Sequence, residues 1–184
     1  QMACERVSVP TWIVVGAGTG GTSATIGRLI RYKHYESRLC LADPEGSAFS
    51  PVWQTRDASV TRPGSRIEGI GRPALVASFL PTLIDRVLDI PNVDSMAGMI
   101  FLESLLGRQV GPSTGCNFAA MLQLAYEMRA TGQQGSIVSL LCDSGNRYQH
   151  NYQNPQWRTE QFGDCTPALN TLQRYAMIGA EASA

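Results

Sequence analysis

Three features of the 184-residue sequence predict an α/β fold with a parallel sheet between two helical layers. Segments Trp12–Val15, Arg38–Ala42 and Ile137–Cys142 are apolar for most of their length, as strands covered on both faces must be. Stretches of helical periodicity lie between them. A glycine-rich turn, Gly16 to Gly21, leads from the first strand into the first helix.

The elements follow in order. A helix is predicted from Thr22 to about Tyr32, with Ile26, Leu29 and Ile30 on one face. The second strand ends at Asp43-Pro44. From Gly46 to Gly71 the composition turns to Gly, Ser, Pro and Arg, predicting a long irregular connection of the kind that carries function. Pro81 to Leu88 reads as a short helix, with 87–90 turning extended before Pro91. Asp94 or Ser95 is placed to cap a helix running through Leu106 and stopping at Gly107. The strongest helix spans Gly115 to Thr131, with Phe118, Met121, Leu122 and Ala125 on one stripe and Gly132 as its stop. Residues 1–150 form the main unit, and 151–184 reads as a polar extension rich in Asn, Gln and Pro whose last residues fray.

Composition narrows the function. Fifteen basic and fifteen acidic residues give zero net charge, which disfavours nucleic acid or an anionic membrane as the main partner. Apolar runs such as 137–142 are far too short to span a bilayer. Residues 1–6 are polar and mixed, unlike a secretory leader. The five cysteines, at 4, 40, 116, 142 and 165, form no C-x-x-C pair. They are expected to be buried free thiols in a reducing cytoplasm. No spacing of ligand residues suggests a metal site. His34 and His150 sit in polar stretches and are expected at the surface. Lys33 is the single lysine among the basic residues.

The glycine turn is suited to holding an anion, because tight turning exposes backbone N–H groups at the positive end of a helix. A plain strand-to-helix turn would look similar, and two sharper readings compete. Gly16, Gly18 and Gly21 fit G-x-G-x-x-G, with Asp43 placed as a ribose-binding acid. That describes an NAD- or FAD-dependent oxidoreductase. The second reading takes Gly18-Thr19-Gly20-Gly21-Thr22 as a phosphate cup in which both threonine hydroxyls supplement the backbone donors.

Three downstream segments separate the readings: Glu68-Gly69-Ile70-Gly71, Gly111-Pro112-Ser113-Thr114-Gly115 and Asp143-Ser144-Gly145-Asn146-Arg147-Tyr148. Together with the Thr-Gly-Gly-Thr block they resemble, in order and separation, the motifs of fold-type II pyridoxal-phosphate enzymes of the cysteine synthase and cystathionine beta-synthase family. The wording of 16–28, 65–73 and 111–117 is most similar to bacterial cysteine synthase-like L-cysteine desulfhydrases.

The resemblance implies pyridoxal 5'-phosphate as cofactor and a sulfur amino-acid substrate. Gly18, Thr19, Gly20, Gly21 and Thr22 would hold the phosphate. Ser113 would face the ring nitrogen, with Ser144 as a second polar contact near the ring. Gly69, Ile70 and Gly71 would border the substrate. Ser113 also fits a plain helix cap, and Ser144 a plain turn residue. A hydroxyl opposite the nitrogen leaves the ring neutral, which suits prompt loss of a β-substituent. The implied reaction is β-elimination or β-replacement on L-cysteine or O-acetyl-L-serine. The first releases sulfide, pyruvate and ammonia from cysteine; the second makes cysteine. The family is usually a cytoplasmic homodimer.

Two family essentials are missing from the 184 residues: the Schiff-base lysine and an asparagine-containing substrate loop. Lys33 reads as a solvated helix-end cation, since a catalytic lysine needs burial or a neighbouring cation. The chain is therefore expected to be the carboxy-terminal half of an enzyme whose amino-terminal half is absent. A non-catalytic scaffold that lost its lysine stands as a further alternative.

Overall fold

The computed structural model describes residues 9–177, so the fraying expected of the last residues lies outside what is described. The elements alternate: β1 (Trp12–Val15), α1 (Gly21–Tyr32), β2 (Arg38–Pro44), α2 (Phe49–Thr55), β3 (Arg86–Ile90), α3 (Asn92–Leu106), α4 (Pro112–Ala130), β4 (Ile137–Ser139), α5 (Pro155–Phe162) and α6 (Thr166–Met177). The four strands form one parallel sheet in the order β3-β2-β1-β4.

Alternation along the strands splits the core between the two faces. On one face Val15, Leu39 and Leu41 pack with Ile30 of α1, Phe49 of α2, Phe79 and Ile84. The stacked rings of Phe49 and Phe79, with centroids 4.1 Å apart, close that layer. On the other face Val14, Cys40, Ala42, Leu88 and Ile90 meet α3, α4 and α6. Helices α3 and α4 approach closely because Gly115 lies against the backbone of Ser95, where a Cβ would stand 2.2 Å from its carbonyl oxygen. The expected three-layer α/β arrangement is the one observed.

Several boundaries differ from the sequence reading for physical reasons. The α4 helix starts at Pro112 instead of Gly115, because proline at the first helical position has its φ already set and no N–H to waste. Its N-cap is Gly111, so Ser113 lies inside the first turn and is not the cap. The 81–88 segment is a single 3-10 turn at Pro81–Leu83 followed by β3. A short helix, α2, interrupts the 46–71 connection, and the carboxylate of Asp43 accepts a 2.7 Å hydrogen bond from the Ser50 N–H in its first turn. The α3 helix begins at Asn92, ahead of Asp94 and Ser95, and stops at left-handed Gly107 as expected.

The polar 151–184 stretch contains two helices that composition did not reveal. The α5 helix is capped by Asn154, whose side chain accepts from the N–H groups of Gln156 and Trp157. The α6 helix buries Leu172 and stacks Tyr175 on Tyr126 of α4. Cys40 and Cys116 are buried and desolvation pushes both thiols up to about 12. Cys142, expected to be buried, is exposed, while Cys165 is half-buried; all four are free, and Cys4 lies outside the described residues. No helix among the described residues is long and apolar enough to cross a membrane.

Candidate functional site

The chain visits β1, β2 and β3 in one direction and then returns past β1 to lay down β4 on its other side. The carboxyl ends of β1 and β4 therefore flank a topological switch point, where open parallel sheets form their ligand crevice. A cavity of about 360 Å³ sits there. It is lined by Gly16 to Ser23 after β1, by Glu68, Gly69 and Ile70, by Ser113 and Asn117 of α4, and by Leu140, Cys142 and Asp143 after β4.

The glycine turn is shaped by steric necessity. Gly20 caps α1 with φ +83, and a Cβ there would stand 2.5 Å from the Cα of Phe79. A Cβ on Gly18 would lie 2.3 Å from the carbonyl oxygen of Gly69. The loop is tied from outside: the Gly71 N–H donates to the Ala17 carbonyl at 2.8 Å, and Arg72 Nε to the Gly18 carbonyl at 3.1 Å. Ser78 Oγ donates to the Thr19 carbonyl at 2.5 Å. Inside α1, Ser23 Oγ donates to the Gly20 carbonyl, so the first turn keeps its free N–H groups for an anion.

Across the cavity, Ser113 is 7% exposed in the first turn of α4. One turn further, Asn117 donates from Nδ2 to the Leu140 carbonyl at 3.4 Å and to Cys142 Sγ at 3.7 Å. Its Oδ1 is buried without a partner beside Gly16. The β4 strand ends at Ser139 instead of Cys142, and Asn117 bonds the Leu140 carbonyl just past the last pair with β1. The Cys142 N–H is in turn held by Thr114 Oγ1 at 2.9 Å.

The structure thus brings together Gly18, Thr19, Gly20, Gly21, Thr22, Gly69, Ile70 and Ser113. Ser144 and Gly71 do not line the cavity. Ser144 accepts from the Asn146 N–H to start the 3-10 turn at 145–148. Gly71 packs against Ser65, Pro44 and Ser47. Asp43 is removed from the cavity as well: it is 1% exposed, and its carboxylate is engaged by the Ser50 N–H. An acid so placed cannot reach a ribose, which removes the key residue of the oxidoreductase reading. Lys33 caps the far end of α1, exposed beside the Tyr32 ring at 5.6 Å. His34 and His150 are exposed. Asn117, Arg72 and Cys142 were missed from sequence. Only Asn117 gave a signal, standing four residues after Ser113 on the same helical face.

A turn suited to an anion stands opposite a buried helix hydroxyl at the switch point of a parallel sheet, an arrangement that suits a phosphate-bearing cofactor. A family described as pyridoxal-phosphate dependent enzymes matches residues 1–143, and the chain belongs to that family. It is 49% identical over 162 residues to an L-cysteine desulfhydrase of Mycobacterium tuberculosis, covering 88% of this chain and 44% of the relative. Identity to cysteine synthase A of Escherichia coli is 29%, over 73% of this chain and 42% of that one. Identity to cysteine synthase 2 of Schizosaccharomyces pombe is 31%, over 73% and 36%. The crystal structure of O-ureido-L-serine synthase shares the fold, with TM-score 0.61, 22% identity and coverage of 77% and 42%. The chain spans less than half the length of these relatives.

The residues present fit pyridoxal phosphate in part. Gly18 and Gly20, where no side chain fits, and the start of α1 suit its phosphate. Ser113 suits a neutral ring nitrogen. None of the 184 residues supplies a lysine at the cavity, since the single one, Lys33, is at the opposite end of α1.

Proposed function

We propose that these residues form the phosphate- and ring-binding side of an active site for β-elimination or β-replacement on L-cysteine or O-acetyl-L-serine. Release of sulfide from cysteine is the favoured reaction. The observation that carries this reading is the convergence of Gly18–Thr22 and Ser113 on one cavity. The similarity to a cysteine desulfhydrase supports the substrate. The protein works in a reducing cytoplasm, in keeping with its free cysteines, and as a homodimer, as the resemblance to cysteine synthases implies. The lysine and the substrate-carboxylate loop come from outside the 184 residues.

When bound, pyridoxal phosphate supplies the electron sink for charge developing at the substrate's α-carbon. The chain's own groups place it. Backbone N–H groups of Gly18 to Thr22 and the threonine hydroxyls take the phosphate. The hydroxyl of Ser113 would hold the ring nitrogen without protonating it, which would favour expulsion of a good leaving group. Gly69 and Ile70, which line the cavity, border the substrate, while Ser144 and Gly71 shape the loops behind it. Ile70 packs on Gly16 and adds an apolar side chain to the cavity wall.

The test is release of sulfide and pyruvate from L-cysteine by the whole protein. Consumption of O-acetylserine and sulfide with no release from cysteine would replace the desulfhydrase by the synthase. Ser113→Ala is expected to retain the phosphate but lose about 1–3 kcal/mol of cofactor binding through the unpaired ring nitrogen. Ser113→Asp is expected to protonate the ring, shift its absorbance and slow elimination. Identical spectra and rates in both variants would leave Ser113 with no role at the ring.

The 184-residue chain alone is expected to show no borohydride-stable capture of pyridoxal phosphate in the cavity. Mass spectrometry finding stoichiometric cofactor on Lys33 would overturn the assignment of the lysine to another segment.

A further inference from the structure

We propose that Tyr152, outside the cofactor-binding motifs, is a positioning residue that sets the rim of the cofactor cavity; this rests on the cofactor reading above. The rim is the segment from Arg66 to Arg72. Its downstream end is fastened to the glycine turn by the Gly71 N–H to Ala17 and by Arg72 Nε to Gly18. At its upstream end the backbone is tied to the carboxy-terminal cluster by one hydroxyl. Tyr152 donates to the Arg66 carbonyl at 2.8 Å and accepts from the Glu68 N–H at 3.2 Å.

Between these fastenings stands Gly69 at φ +88, and the downstream fastening is itself a glycine, Gly71 at φ +73, so the backbone there is least self-supporting. Gly69 is the residue whose carbonyl approaches Gly18 too closely to admit a side chain there. A shift of the rim therefore moves both the cavity wall and the turn that holds the phosphate.

Tyr152 itself is rigid. It is 6% exposed and makes edge contacts with Tyr148 at 5.5 Å and Trp157 at 5.0 Å, while Phe162 stacks 6.2 Å away. Its own carbonyl accepts from Arg158 at 2.7 Å. The same cluster grips the rim a second time. The Arg66 guanidinium lies 4.7 Å from the centre of the Phe162 ring and donates to Gln161 at 2.9 Å. A hydroxyl buried in this way, bonded to two backbone groups of one loop, constrains that loop more than it stabilises the core.

Tyr152→Phe keeps the ring packing and removes only the two rim bonds. Trypsin reads the result, because Arg62 and Arg72 each precede proline and are refractory, leaving Arg66 as the cleavable bond between 57 and 85. In the 184-residue chain, the variant is expected to be cut after Arg66 roughly tenfold faster than wild type. Cutting after Arg129 and Arg174 should be unchanged, with the same melting temperature within a few degrees. Pyridoxal phosphate should slow the Arg66 cut in wild type and bind the variant several-fold more weakly.

Equal cutting of the two proteins after Arg66 overturns the proposal, and the cofactor reading survives if pyridoxal phosphate still protects wild type. Faster cutting at all three sites overturns it as well, making Tyr152 a general packing residue. Failure of pyridoxal phosphate to protect wild type defeats the cofactor reading instead, whatever the hydroxyl does to the rim.

Discussion

Gly20→Val is expected to lose pyridoxal phosphate uptake entirely and to destabilise the chain by about 3–5 kcal/mol. Two independent costs combine at this position. The backbone at φ +83 is left-handed, a conformation that costs a β-branched residue about 1–2 kcal/mol or more. The side chain then meets Phe79, whose Cα, Cβ and N would lie 2.5, 2.8 and 2.9 Å from the new Cβ. Phe79 is buried and stacked on Phe49, so the relief must come from the glycine turn itself. Any such movement redirects the N–H groups at the start of α1. Gly107→Ala separates the two costs, because Gly107 has φ +65 with open space around it. That control is expected to lose only about 1 kcal/mol and to leave cofactor binding intact. Thermal denaturation and cofactor content measured on both variants check the pair. Normal cofactor content in Gly20→Val would remove the turn from the binding site.

How much was legible in the sequence depends on the range over which each feature is determined. Strands β1 and β2 were legible because burial on both faces leaves an unbroken apolar run. The glycine turn that lines the cavity was legible because its residues are contiguous and its glycines are forced by close packing. The start of α4 was set three residues late by discounting Pro112 as a helix-starting signal. The α2, α5 and α6 helices are short or polar, and isolated helices of such length are marginal. They exist through tertiary partners: Asp43 bonds the first turn of α2, and α6 packs on α3 and α4.

The cavity divides in the same way. Ser113 and Gly69 were found through their motifs, whereas Asn117 matters because β4 happens to part from β1 beside it. Cys142 was taken as a buried strand residue, yet the strand has ended three residues earlier and the residue is exposed at the cavity. Tyr152 reaches Arg66 and Glu68 across more than eighty residues, a relation that no local pattern carries.

Asp43→Asn is expected to stabilise the chain above neutral pH and to leave it nearly unchanged in acid. Burial is the main cause that pushes the Asp43 carboxyl from 3.8 up to about 7; Asp89 adds to it, and hydrogen bonds from Ser47 and Ser50 oppose it. A raised folded-state value means that folding prefers the protonated form. Its contribution is therefore complete below about pH 4 and is lost as pH rises through about 7. Three pKa units correspond to about 4 kcal/mol between those limits. The asparagine retains an acceptor for the Ser50 N–H but places an amide where Oδ1 is already without a partner, which returns about 1 kcal/mol of the gain. The net expectation at pH 8 is about 2–3 kcal/mol in favour of the variant, shrinking to zero or slightly below it near pH 4. Urea unfolding of wild type and variant at several pH values gives the difference directly, because carboxylates that do not interact with Asp43 cancel between them. A pH-independent difference would show that Asp43 stays ionised in the folded chain, held by the α2 N–H and the serine hydroxyl against the cost of burial.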